Sequence, residues 1–436
     1  MVDMRIGVRN SKYGKVIILF FIIVSFYLTL GFISRDLENH LLSTIRVSTY
    51  NPLQQSIKDV LITIPIESLV NKYPDFNEKA FIAFDGEKEI PSQVEDLNGD
   101  GKTDNILMLV DFTQAEKKIV SIQYDKLAVI KKEFKKRTHA ELSIKTDYVL
   151  ENGVYTKGKF KSVDNSTVPV NHFAHDAWYK YEGPGWESEK VAYRFYLDSR
   201  NRNDIFGKKV DDLVLSIVGI NDLVSDSKES YTNVCDWGMD IFKVGESLGI
   251  GSIAIWENNK VNTISNTETT TCQITNDGLI KSNILTIYKN TKIGKAQFDI
   301  SSLISISAGS RLTREDLTIT DDSQIFCTGI AKHADCSLIK DDKNFEWGFI
   351  ATYEKQSLAG DNLGLAIFYK KSNLIKNTED DFSYITVLNP VDGELTYYYA
   401  AAWENEKDGI SSKEEFIKYL NNTILELSNP ITIELL

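Results

Sequence analysis

From residue 56 onward the chain is written in short runs that alternate apolar and polar positions. SIKDVLITIPI, KAFIAFDG, NILMLVDF and KKIVSIQYD come first. KVAYRFYLDS, DLVLSIVGI, GSIAIWEN, NILTIYKN, AQFDISSLISISAG, FEWGFIATYEK, LGLAIFYKK and LTYYYAAAWE follow. A period of two sends successive side chains to opposite faces of a strand, so each run buries one face. The runs recur roughly every ten residues between turn residues, which points to sandwiches and excludes a helical bundle or a doubly wound fold. One clear helical period stands near the end, in SSKEEFIKYLNNTILEL. There Ser412 is placed to cap, with Glu415 three residues on. Phe416, Tyr419, Leu420 and Ile424 line one face. The expected class is all-β.

A chain of 436 residues allows two or three domains at roughly 150 residues each. The basic run KLAVIKKEFKKR at 126–137 lies between two strand-rich blocks. A small β-sandwich is expected at 41–128 and a large sandwich domain at 137–436. The run itself reads as a solvated linker or a charged strand edge.

The first 33 residues form a separate unit. Arg5, Arg9, Lys12 and Lys15 precede Val16–Ile33, 18 residues without a charge, and Arg35 follows. The length exceeds a signal-peptide core and approaches a membrane span, and the basic flank predicts a cytoplasmic N-terminus. No small-x-small cleavage site follows. The segment reads as a signal or anchor helix, with the anchor favoured, so the remainder is expected outside the cytoplasm, touching the membrane through this helix only. In that compartment Cys235, Cys272, Cys327 and Cys336 read as structural disulfides or inert thiols. Cys327 with Cys336, and Cys235 with Cys272, is one of three possible pairings. Their spacings fit no zinc site.

Sixty-two acidic against 49 basic side chains give a net charge of −13, which argues against nucleic acid. An anionic partner would need a local basic pocket. No glycine-rich nucleotide loop and no nucleophile elbow is present, so no organic cofactor is expected. The stretch DLNGDGKTD places Asp96, Asn98, Asp100, Lys102 and Asp104 at positions 1, 3, 5, 7 and 9 of a calcium-type loop. The twelfth position is Leu107 and no helices flank it, so a polar turn is favoured over a structural calcium site.

Candidate chemistry is densest between His172 and Gly251. Aromatic faces beside carboxylates and Arg suit a sugar site. A lyase needs a group to neutralise a uronate, a base and an acid. Arg194 or Lys190 suits the first, His172 or His175 the second, Tyr193 or Tyr231 the third. Alternation in KVAYRFYLD sets Arg194 and Tyr196 on one face and Tyr193 on the core side. A hydrolase needs two carboxyl groups, drawn from Glu182 or Glu187 with Asp236 or Asp240. Trp178, Trp186, Trp237, Glu182, Glu187, Lys190 and Tyr196 are the candidate substrate contacts; His172, His175, Arg194, Tyr231 and Asp236 are the candidate catalytic residues. Without catalysis, the same features fit a glycan-binding or cell-envelope protein, or an adhesion module.

The strings PSQVEDLNGDGKTDNILMLVDF (91–112), YEGPGWESEKVAYRFYLDSRNRNDIFGK (181–208), DWGMDIFKVGESLG (236–249) and LTYYYAAAWE (395–404) resemble a bacterial family catalogued as domain of unknown function 4861. The resemblance spans nearly all of the chain after the anchor. It implies a secreted protein of polysaccharide-degrading bacteria, a large domain similar to the galactose-mutarotase-like supersandwich, and an acidic, uronic-acid-containing polysaccharide or oligosaccharide as partner. It also implies a histidine near Tyr231, where this chain has Thr232 and Asn233.

Overall fold

The computed structural model describes residues 43–127, 129–130, 133–220, 230–333 and 336–436. The expected anchor helix lies outside the described residues. Among the described residues no helix is long and apolar enough to cross a membrane.

The protein is mostly β and its sheets stack in sandwich fashion. In the N-terminal part, Ile57–Pro65, Asn105–Phe112 and Ser92–Glu95 form a three-stranded sheet. It faces a five-stranded one containing Ser43–Tyr50, Lys117–Tyr124, Phe81–Asp85 and Lys88–Ile90. Ile45, Val47, Ile62, Ile64, Ile106, Met108, Val120 and Ile122 close the space between them. The fifth strand is Thr432–Leu435, the end of the chain, paired antiparallel with Ser43–Tyr50. The sequence boundary that assigned everything after 137 to the large domain is corrected here. The last strand covers the edge of the first sheet, an edge that would otherwise expose unpaired N–H and C=O groups.

The larger part is built on a nine-stranded sheet running from Asn165–Thr167 to Ile339–Lys340, with Leu312–Ile319 and Glu394–Trp403 near its centre. A five-stranded sheet holds Thr138–Glu141, Gly185–Ser188, Ala192–Phe195, Asn203–Lys208 and Gly238–Asp240. Another contains Ala254–Glu257, Phe326–Ala331 and Ser383–Leu388. One large core joins them, with Trp186, Tyr193 and Ile205 packed among Tyr397, Tyr399 and Trp403. The helix Lys413–Ser428 buries Phe416, Leu420 and Ile424, as its period predicts. Ser412 Oγ accepts the Glu415 N–H at 3.2 Å. Glu415 reaches back to the backbone N–H of Ser411 at 3.1 Å, one residue before the position a standard capping box uses.

The two parts meet through buried polar contacts. Gln93 accepts the Ile280 N–H at 2.8 Å, and Glu95 pairs with Lys281 and accepts from Asn283 at 2.8 Å. Arg137, the last residue of the basic run, is fixed between Asp59 (2.6 and 2.8 Å) and Glu189 (2.6 Å). That end of the run is a tie between the two parts, not a solvated linker.

Candidate acid site on the five-stranded sheet

The strand Ala192–Phe195 explains the position of the site. Its alternation sends Tyr193 into the main core, where its hydroxyl donates to the Arg311 carbonyl at 2.8 Å. Arg194 points to the opposite face. The hairpin to Asn203–Lys208 puts Asp204 directly across from Arg194. Arg194 Nε and Nη2 reach Asp204 Oδ2 at 3.0 and 2.6 Å, and Nη2 reaches Asp240 Oδ2 at 2.7 Å. Nη1 donates to the Tyr231 hydroxyl at 3.1 Å and lies 3.7 Å from Glu182 Oε2. The Tyr196 hydroxyl accepts from Arg194 Nη2 at 3.1 Å and donates to Asp204. The rings of Tyr196, Phe206 and Tyr231 stand 5.0, 5.1 and 5.1 Å from the guanidinium carbon. These are cation–π distances.

A second arginine continues the network outward. Arg200 forks onto Asp198 (Nε at 2.9 and 3.1 Å), donates to Glu182 Oε1 at 2.6 Å, and lies 4.0 Å over the Tyr196 ring. His175 Nδ1 is 2.8 Å from Glu182 Oε1, with 77% of its side chain exposed at the rim. The backbone that presents these groups is unusual. His175, Ala177, Tyr181 and Glu182 all have positive φ, at 65°, 60°, 40° and 75°. Left-handed non-glycine residues cost free energy and concentrate where a site requires them. Gly183 follows, and a Cβ there would lie 1.9 Å from the Phe195 carbonyl oxygen, so only glycine lets this turn press against the Arg194 strand.

Among the described residues, two arginines therefore face four carboxyl groups: Glu182, Asp198, Asp204 and Asp240. The imbalance falls on Asp240. Burial and the charge of Asp204 push its carboxyl up from the ordinary 3.8 to about 8, against the pull of Arg194. The shift favours its protonated form. Tyr231 is also pushed up, by burial foremost, so it stays a phenol. Arg194 lies against both Glu182 (3.7 Å) and Asp240 (2.7 Å), so one guanidinium joins the two carboxyl groups.

The family described as "Domain of unknown function (DUF4861)" matches over residues 50–433. The chain belongs to this family. No curated protein matches it. Among solved structures it is similar to an alpha-mannosidase from Enterococcus faecalis V583, at 9% identity and a TM-score of 0.42, over 90% of this chain and 46% of that one. It is similar in the same degree to a protein in the glycosyl hydrolase family 38 from Enterococcus faecalis, at 9% identity and a TM-score of 0.42, over 90% and 47%. This chain spans about half the length of either.

In this DUF4861 chain the sequence candidates separate. Glu182, Arg194, Tyr196 and Tyr231 come together, with His175 at the rim. Trp237 packs edge-on to Phe206 at 6.1 Å, behind the cluster. Asp236 is exposed on the loop before the strand, and Asp240 at the strand's end takes the place expected of it. His172 lies elsewhere, its Nδ1 on Asp176 at 2.8 Å. Trp178 packs against Tyr155 at 4.8 Å and Tyr148 at 5.8 Å. Two candidates for substrate contact are corrected. Trp186 is fully buried, stacked on Tyr193 and donating to Thr313 Oγ1 at 2.8 Å. Glu187 is fully buried, bound to Lys208 at 2.8 Å and to the N–H groups of Val214 and Leu215 at 2.9 and 2.8 Å. Lys190 sits in the turn between the strands Gly185–Ser188 and Ala192–Phe195, close enough to Asp211 and Glu406 to stabilise their charge. Arg194 is also corrected as a uronate clamp, because its N–H groups are already committed to internal partners.

Asp204 and Arg200 were missed by sequence reasoning, although the signal was present. Register through the DSRNRN turn opposes Arg194 to Asp204, a cross-strand charge pair. In the DLNGDGKTD loop, Asp96 accepts the N–H groups of Gly99 (2.6 Å) and Gly101 (2.8 Å), Asn98 that of Asp100 (2.9 Å), Asp100 that of Lys102 (2.9 Å), and Asp104 that of Leu97 (2.7 Å). Lys102 pairs with Asp100. The loop is closed by its own turns, and among the described residues no group of three or more His, Cys, Asp and Glu is placed to hold a metal. Cys272 and Cys327 are buried thiols, so neither Cys235–Cys272 nor Cys327–Cys336 is formed. Burial pushes the Cys272 thiol up to about 12.

Proposed function

We propose that this protein is an extracytoplasmic carbohydrate-active enzyme that hydrolyses glycosidic bonds, with Asp240 as the acid and Glu182 as the second carboxyl group. The carrying observation is a buried carboxyl group, Asp240, that burial and the neighbouring Asp204 push toward its protonated form, joined to a second carboxyl, Glu182, through one arginine. Asp240 would protonate the leaving glycosidic oxygen. Glu182, oriented by Arg200 and His175, would act on the sugar carbon or on the attacking water. Arg194 and Tyr196 are positioning residues. The large domain is read as a galactose-mutarotase-like supersandwich, a reading supported by the nine-stranded sheet packed on the smaller sheet that carries the site. The uronic-acid-containing substrate rests on the family's associations, and the extracytoplasmic placement on the Val16–Ile33 run.

Hydrolysis is preferred to elimination because a lyase needs a free cation for the uronate, and Arg194 is already bound to Asp204 and Asp240. The test is incubation with pectic and neutral polysaccharides. Reducing ends should appear without the ultraviolet absorbance of unsaturated products, and Asp240→Asn should slow their release by about 10²–10⁴-fold. Unsaturated ends would make the protein a lyase. Glycan binding with no product of either kind would make it a binding protein.

A further inference from the structure

Arg202 stands immediately before the strand Asn203–Lys208, which carries Asp204. Its carbonyl accepts the Tyr196 N–H at 2.8 Å, so the pairing that opposes Arg194 to Asp204 runs on to it. Between them Asn203 turns toward the main core and donates to the Tyr399 hydroxyl at 3.1 Å. Alternation therefore starts the Arg202 side chain on the face that holds Arg194, Tyr196 and Asp204.

Arg194 and Arg200 hold four carboxyl groups between them. Arg202 is 7% exposed, and among the described residues no carboxylate pairs with it. Its Nε donates to the Ser247 carbonyl at 2.5 Å, and its Nη1 to the carbonyls of Arg200 and Asn201 at 2.7 and 3.3 Å. Nη2 makes no hydrogen bond among the described residues, yet it is not one of the polar atoms sealed from solvent. The two carboxylates whose charge reaches Arg202 are engaged elsewhere. Asp198 is forked by Arg200, and Asp380 accepts the N–H groups of Phe382 and Ser383 at 2.8 and 2.7 Å. Burial lowers the guanidinium to about 10, and those distant charges restore only part of the loss. A buried charge is ordinarily paired, because desolvation without a counter-charge is expensive. Arg202 is a guanidinium that lacks its anion while keeping an N–H group open to one.

We infer that Arg202 receives, on Nη2, an oxyanion carried by the sugar ligand: a uronate carboxylate or a sulfate ester. The inference rests on the glycosidase reading for its setting and assigns the residue that selects an acidic sugar. Asp204 lies two residues, about 7 Å, further along the strand, and no Arg202 donor touches Arg194, Glu182 or Asp240. The anion is therefore assigned to a sugar neighbouring the one at Asp240. Calorimetric titration tests this without turnover. The ligands are D-galacturonate, D-glucuronate and D-galactose 6-sulfate, with D-galactose, D-glucose and methyl D-galacturonate as neutral counterparts. At least one anionic sugar should bind about tenfold more tightly than its neutral counterpart, the scale of one charged hydrogen bond, and which of them does separates carboxylate from sulfate. Arg202→Met should erase that margin while leaving the weaker neutral binding. Because Arg202 also ties the 200–201 turn to Ser247, thermal melts check that this variant is folded. If it is not, the methyl ester, which removes the charge from the ligand instead, decides the matter. The inference is overturned if no anionic sugar binds, if the neutral counterparts bind as tightly, or if folded Arg202→Met keeps the margin. An anionic preference in a protein that releases no reducing ends would overturn the glycosidase reading and leave the role of Arg202 intact. Cleavage without an anionic preference would do the reverse.

Discussion

Glu187→Ala should destabilise the protein severely without touching a ligand. Glu187 and Lys208 are both fully shielded from solvent, 2.8 Å apart. The glutamate also accepts the N–H groups of Val214 and Leu215 at 2.9 and 2.8 Å, and Lys208 donates to the Ser188 carbonyl at 2.6 Å. Removing the carboxylate strands an ammonium in a site that water does not reach. Breaking a buried pair from one side costs about 3–5 kcal/mol. Two unsatisfied amides add about 1–3 kcal/mol each, with incomplete additivity. A loss of at least about 3 kcal/mol, at about 2 °C per kcal/mol for a domain of this size, lowers the melting temperature by about 6 °C or more. Glu187→Leu with Lys208→Met should recover part of that, because the stranded charge goes while the two amides stay unpaired. Thermal melts followed by circular dichroism read both variants. An unchanged melting temperature in Glu187→Ala, together with lost glycan binding, would refute the reasoning and return Glu187 to the substrate.

Other expectations follow from the same contacts. Asp240 binds its proton more tightly folded than unfolded, with about 8 against 3.8, so its contribution to stability is full below pH 4 and is lost as pH rises toward 8. Asp240→Asn should therefore compare better with the parent at pH 8.5 than at pH 5 in parallel melts; an equal difference at both values would contradict the assignment. Truncation after Asn429 removes the strand that pairs with Ser43–Tyr50 and should lower the stability of the N-terminal sandwich, visible as faster exchange of the Val47 and Thr49 amides. Chelation of calcium should leave the melting temperature unchanged, since the Asp96–Asp104 loop is closed by its own N–H groups. A rise on adding calcium would make it a cation site.

The fold was legible where periodicity alone decides it. Alternation sorted Tyr193 into the core and Arg194 with Tyr196 onto the other face. Spacing found the buried face of the helix Lys413–Ser428. The errors arose where burial is two-sided or pairing is distant. Trp186 and Glu187 sit in a strand covered on both faces, and no periodicity reports that. Glu187 is explained only by Lys208, which arrives from another strand. The closing strand Thr432–Leu435 is four residues long and its partner lies at the opposite end of the chain, so local pattern could not place it. The site was partly legible: the aromatic and charged density pointed to the right segment, but the charge balance that raises Asp240 appears only when four carboxyl groups are counted around two arginines.

The account turns on one proton. Carbon-13 labelling of the aspartate carboxyl groups, assigned by Asp240→Asn, gives the titration of Asp240 directly by NMR. The account predicts a midpoint near 8, with the carboxyl still protonated at pH 7. A midpoint in the ordinary carboxylate range, below about 5, would contradict it and leave the cluster without an acid.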